Sequence, residues 1–203
     1  VTGAPVHRGL RKKHLAIVGP TASGKSAVAL ALAATLGDAE IVSLDSMQVY
    51  RGMDIGTAKP TAEERASVVH HLVDVADPAE EWSVVRTQSA ASAAVHAIEA
   101  RGHRALLVGG TGLYVRAVVD GITVPGRDAT VRTALEAESE GAAGLARAYQ
   151  DLVERDPETA ARIEPGNRRR VMRALEVMRA TGRPFSSFGP GLSQYAAPTL
   201  DVL

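Results

Sequence analysis

The chain has 203 residues, room for one compact domain, or one domain with a small insertion, at roughly 100–200 residues per domain. Hydrophobic residues at 45% and charged residues at 23% describe a globular core, and the lack of cysteine excludes a disulfide framework, a cysteine-bearing zinc site and a thiol nucleophile. The 23 basic and 23 acidic residues cancel, so no global field advertises a polyanionic partner, although Arg168, Arg169, Arg170, Arg173, Arg179 and Arg183 crowd one late segment.

In chain order, residues 1–13 lack apolar periodicity and predict a loose basic tail. Residues 14–19 (HLAIVG) suit a buried strand, and residues 25–36 an Ala/Leu/Val helix stopped by Gly37. Residues 39–44 predict a second strand ending at Asp45, residues 46–60 a long loop, and residues 62–69 a short helix. Ser83 caps a long Ala-rich helix that ends at Gly102. Residues 104–108 read as a third strand, closed by Gly109 and Gly110, and residues 111–119 as a helix. Strands that are continuous apolar runs, alternating with helices, indicate an α/β fold: a parallel sheet with helices on both faces. Such a sheet gathers its strand-end loops on one edge, here 19–26, 45–50 and 109–114.

From Thr123 the strands cease. Segments 128–139, 142–155 and 157–163 predict successive helices, so residues 123–164 read as a helical insertion between core segments 14–122 and 165–203. A further helix spans 167–181, a loop 184–198, and residues 199–203 resemble the start of a buried strand. No uncharged stretch reaches the roughly 20 residues a bilayer requires, and no charged-then-apolar leader opens the sequence. A soluble cytoplasmic protein without membrane contact is expected.

The strongest chemical signal is Gly19-Pro20-Thr21-Ala22-Ser23-Gly24-Lys25-Ser26, a complete G-x-x-x-x-G-K-[ST] phosphate loop between a strand and a helix. Backbone N–H groups in such a loop converge on an anion at the positive end of a helix. Lys25 adds a full charge, and the Ser26 hydroxyl suits Mg²⁺. A P-loop hydrolase usually holds its metal with an Asp at the end of an apolar strand, yet the third strand here ends in Gly109-Gly110. Asp45 does end a strand. Two readings stand for it: a carboxylate that takes a proton from an incoming nucleophile, or a simple turn cap.

Thr111 after the paired glycines is either a ligand hydroxyl or an ordinary N-cap. His70 and His71 are adjacent, so their side chains point apart; they read as structural, with Asp74 an available partner for one imidazole. Arg169, Arg170 and Arg173 share one side of a helix, either a solvated face or a set of phosphate contacts.

Taken together, GPTASGKS, SLDSMQVYRGMDIGTAKP, HHLVDV, GGTGLY and RRRVMRALEVMRATGRP resemble the tRNA dimethylallyltransferase (isopentenyltransferase) family, from about His14 to the end of the chain. The resemblance implies a P-loop NTPase-like core and transfer of a dimethylallyl group from dimethylallyl diphosphate to N6 of the adenine 3′ of the tRNA anticodon, with Mg²⁺. It implies that Gly19, Pro20, Thr21, Ala22, Ser23, Gly24, Lys25 and Ser26 hold the diphosphate. Asp45 becomes the general base, with Lys25 and Thr111 beside it as catalytic residues. Asp45 (through a hydrogen bond to the adenine N6), Ser46, Met47 and Gln48 face the tRNA, as do Thr111, Arg132, Arg169, Arg170 and Arg173, and the helical insertion grips the anticodon stem-loop. The family normally continues well past residues 199–203, so a truncated, weakly active or inactive chain is expected, most simply a monomer. The competing expectations are a P-loop small-molecule or nucleotide kinase, and a remnant that binds ligands without turnover.

Overall fold

A computed structural model describes residues 13–110, 112–189 and 200. The chain forms two compact units, Val1–Gly121 with Tyr195–Leu203, and Ile122–Gln194.

The first unit carries four parallel strands: β1 (Leu15–Val18), β2 (Ala39–Ser43), β3 (His70–His71) and β4 (Arg104–Gly109), in the order β1-β4-β2-β3. Its helices are α1 (Lys25–Leu36), α2 (Ala62–Ser67), α3 (Val84–Ala100) and α4 (Gly112–Val119). Because β4 is central, with Leu106 paired to both Leu15 and Ile41, its successive side chains point to opposite covered faces. Leu106 and Val108 join Ile41 and α1 residues Ala29 and Ala33 on one side. Ala105 and Leu107 join Val42, Leu44, Val95, Ile98 and Val118 on the other. This double burial explains the uninterrupted apolar run in β4, and each fully buried Leu contributes roughly 1.5–3 kcal/mol. Thr61 and Glu64 close a capping box on α2, and Ser83 accepts the Arg86 N–H at the start of α3.

One detail of this unit departs from expectation. Residues 70–71 pair with Ile41 and Val42 as a strand, too short to register in a hydropathy pattern. The expected tail lies almost wholly outside the described residues, as does the expected strand 199–203 except Leu200, which packs against the α3–α4 side of the sheet.

The regular elements of the second unit's described residues are all helices: α5 (Ala129–Glu138), α6 (Gly141–Arg155), α7 (Pro157–Ala160), α8 (Arg168–Thr181) and a 3₁₀ turn (Phe185–Phe188). Val171, Leu175 and Met178 of α8 meet Leu135, Ala148 and Leu152 from α5 and α6. From the sequence, residues 165–203 group with the α/β core, whereas α8 falls in the helical unit because its apolar stripe is covered there. Buried Asp156 caps α7 through Thr159 and also accepts the Ser186 N–H at 2.8 Å, fastening the 3₁₀ turn.

Candidate active site: a phosphate-loop cavity

The phosphate loop follows β1 and ends at Gly24, whose φ of +82° a side chain would oppose. Ala22 also adopts a left-handed conformation, with φ of +64°. Gly24 offers α1 no side-chain cap, and no acidic residue occupies the first turn, so nothing neutralises the positive helix end. The Lys25 ammonium rests on the loop's own Pro20 carbonyl at 2.6 Å, a single short contact that a phosphate oxygen can replace.

The centrality of β4 then fixes what must follow it. Its end is wedged between the loops after β1 and β2. A Cβ on Gly110 would sit 3.0 Å from the Gly19 carbonyl oxygen and 3.5 Å from Lys25 Nζ, and one on Gly109 would sit 2.9 Å from Leu44 Cβ. The paired glycines are therefore required by crowding between two loops. Thr111, next in sequence, lies outside the described residues.

After β2, Asp45 Oδ1 accepts N–H bonds from Met47 at 2.8 Å and Gln48 at 3.3 Å, an Asx-type turn that fixes the carboxylate. Its other oxygen has no partner among the described residues. Both readings of Asp45 thus hold at once: one oxygen caps the turn while the other is available. Further along the loop, buried Lys59 directs all three donors inward, to Tyr50 O at 2.8 Å, Asp54 at 2.7 Å and Asp74 at 2.7 Å. Burial pushes the Asp74 carboxyl up, but hydrogen bonds from Lys59 and Arg65 outweigh it and hold it below the usual range. Asp74 is consequently no partner for a histidine. His71 instead meets Glu40 at 2.7 Å, and His70 bonds the Val68 carbonyl.

These loops enclose a cavity of about 760 Å³. Residues Thr21, Ala22, Ser23, Gly24, Lys25 and Ser26 line one part, Asp45, Met47 and Gln48 another. Gly19, Pro20 and Ser46 are not among the lining residues. The wall is completed by Gly56–Thr61, the segment the sequence shows as GTAKPT, and by His70. Neither was singled out as a site from sequence; for 56–61, the signal was the unexplained second half of the longest motif.

The remaining candidates belong to the helical unit. Arg169 and Arg170 are exposed at the start of α8. Arg173 is not presented with them: its guanidinium donates to Pro125 O at 2.6 Å, Gly126 O at 3.0 Å and Glu176 at 2.8 Å. Arg132 is likewise held by Glu136, with buried Glu176 at 3.8 Å. A buried glutamate that also accepts the Asp128 N–H gathers these two arginines, so the i, i+3, i+4 pattern overstates the free basic face.

As to metal, no group of three or more His, Asp or Glu among the described residues could hold an ion. The cavity offers the Ser26 hydroxyl beside a phosphate cradle. That sparse oxygen set fits Mg²⁺, which keeps several waters and leans on substrate phosphates, better than it fits a protein-caged ion.

A strand–phosphate loop–helix unit in a parallel sheet covered on both faces defines a protein of the P-loop NTPase-like fold class. A family model described as IPP transferase matches residues 48–201. The chain is 48% identical over 197 residues to a tRNA dimethylallyltransferase of Bifidobacterium longum (strain NCC 2705), covering 95% of this chain and 60% of that protein. It is 54% identical over 181 residues to one from Salinispora arenicola, covering 89% and 52%. Among solved structures, it resembles a eukaryotic dimethylallyltransferase acting on tRNA, with a TM-score of 0.77 and 30% identity over 95% of this chain and 47% of that one. It also resembles a full-length tRNA isopentenylpyrophosphate transferase from Bacillus halodurans, with a TM-score of 0.53 and 47% identity over 85% and 57%. The chain belongs to the IPP transferase family, and it spans about 60% of the length of the first of these relatives.

Proposed function

We propose that the protein transfers a dimethylallyl group from dimethylallyl diphosphate to N6 of the adenine 3′ of a tRNA anticodon, releasing diphosphate. The observation that carries this reading is that Asp45 and the phosphate loop line the same cavity. Adenine N6 is a weak nucleophile, since its lone pair is delocalised into the ring, so transfer needs a stabilised leaving group and removal of a proton from nitrogen. Lys25 and the amides of residues 21–26 stabilise charge that grows on diphosphate as the C–O bond breaks. Mg²⁺, when bound at Ser26 and the diphosphate oxygens, supplies further positive charge to that leaving group. The free oxygen of Asp45 accepts the N6 proton. The target adenine must leave its stack to enter. In this reading Thr111 assists at the same centre, Ser46, Met47, Arg169 and Arg170 and the helical insertion 123–164 serve the RNA, and Arg132 and Arg173 order that insertion through Glu176. In this reading, too, the protein works in the cytoplasm and acts as a monomer.

Phosphoryl transfer is disfavoured by the end of β4, where Gly109-Gly110 stands in place of a metal-holding Asp. The test is mass spectrometry of nucleosides from unmodified anticodon stem-loop RNA after incubation with dimethylallyl diphosphate and Mg²⁺. Prenylated adenosine is expected, with no need for ATP. Asp45→Asn should lower turnover about 100-fold, the scale of general-base catalysis, and leave diphosphate binding intact. Full turnover in that variant would defeat the assignment of the base.

A further inference from the structure

Gln48 stands in a motif whose family resemblance makes it RNA-facing, yet its amide is committed within the protein. Nε2 donates to the carbonyls of Thr57 at 3.2 Å and Ala58 at 2.8 Å, while Oε1 accepts the Ser43 hydroxyl at 2.8 Å. Two carbonyls on one side and a hydroxyl donor on the other fix the amide orientation and leave neither N–H for a base. Ser43 Oγ in turn accepts the Asp45 N–H at 3.4 Å, and the Gln48 N–H meets the Asp45 carboxylate. The Gln48 main chain is anchored separately, its carbonyl accepting the Asp74 N–H at 3.0 Å. The side chain thus links Ser43 at the end of β2 to the cavity wall at 57–58, and both Ser43 and Gln48 bond the proposed base.

We infer that Gln48 is a positioning residue: it ties Asp45 to the opposite cavity wall and sets the direction of the free carboxylate oxygen, and it makes no contact with a nucleobase. This rests on the transferase reading for its catalytic consequence but not for its geometry. A misdirected base costs rate even when RNA is saturating, whereas a lost base contact costs RNA affinity.

Gln48→Met keeps the length and removes every side-chain hydrogen bond; Gln48→Glu keeps the acceptor but sets a carboxylate against two carbonyls. With anticodon stem-loop RNA and dimethylallyl diphosphate, the single-turnover rate at saturating RNA should fall about tenfold in Gln48→Met, with RNA affinity unchanged. In an Asp45→Asn background the same change should add no further loss. Gln48→Glu should recover as pH falls and its protonated carboxyl donates to one of the two carbonyls. Weakened RNA affinity with the saturating rate intact would overturn the inference, and so would additive losses with Asp45→Asn. Amide hydrogen exchange needs no turnover: the Met47 and Gln48 N–H groups, both bonded to Asp45, should exchange about tenfold faster in Gln48→Met. If neither the parent chain nor a version extended to the length of its relatives transfers a prenyl group, the transferase reading fails while the exchange result still decides the geometry; unchanged exchange would sink it.

Discussion

At the scale of single residues, the cavity is set by what cannot be added or removed. A methyl at Gly110 meets the Gly19 carbonyl at 3.0 Å, and that oxygen belongs to the phosphate-loop backbone, which must shift to make room. Gly110→Ala is therefore expected to cost about 1–3 kcal/mol through overpacking and to weaken inorganic diphosphate binding as the phosphate loop is displaced. Calorimetry and thermal melting of the variant check both. Gly112→Ala is the contrast: its Cβ would meet nothing within 4 Å, and alanine favours the helix it enters, so its stability should change by less than about 0.5 kcal/mol. Lys59 works by the opposite logic. Burial pulls its ammonium down, but hydrogen bonds to Asp54 and Asp74 prevail and raise it above its ordinary value. Lys59→Met leaves Asp74 with only Arg65 and Tyr50 O with no donor from residue 59, an expected loss of about 3 kcal/mol in denaturant unfolding.

At the scale of elements, strands β1, β2 and β4 and the larger helices were legible because each carries a complete local signal: an apolar run, a capping Ser or Asp, or a terminating Gly. β3 was not, since two histidines become a strand only by pairing with Ile41 and Val42. The phosphate loop and Asp45 were legible from residue type and position, and they do line one cavity. The wall at 56–61 was hidden for a physical reason. Its place depends on Gln48 and Lys59 reaching across nine residues to Thr57 and Tyr50, contacts that leave no periodicity in the sequence. Helix periodicity put Arg173 beside Arg169 and Arg170 correctly, but could not reveal that Pro125, Gly126 and Glu176 occupy its guanidinium. Arg169→Ala with Arg170→Ala should thus leave stability nearly unchanged and reduce the salt dependence of RNA binding, whereas Arg173→Ala should lower the melting temperature through the Glu176 it abandons.

At the scale of the whole molecule, acid sensitivity follows from a charge placed at the end of β2 opposite the cavity. Buried Glu40 accepts from Arg101 at 2.7 and 3.0 Å, His71 at 2.7 Å and His103 at 2.8 Å, binding β2, β3 and the turn before β4 together. Burial pushes its carboxyl up, but those donors win and lower it from 4.5 to about 2. A carboxyl depressed in the folded state binds its proton more readily when unfolded. Its stabilisation is therefore complete above about pH 4.5 and disappears as pH falls toward 2. The difference corresponds to something on the order of 3 kcal/mol, a sizeable part of a domain's total stability. Glu40→Gln removes the titrating group but leaves Arg101 and two imidazoles around an amide. It should be less stable than the parent at neutral pH, with a shallower decline between pH 4.5 and 2. Some slope should persist, because Asp74, Glu138 and Asp156 are also held below their ordinary values. Urea unfolding across that pH range measures the effect, and parallel slopes for parent and variant would show that Glu40 does not dominate the acid limb.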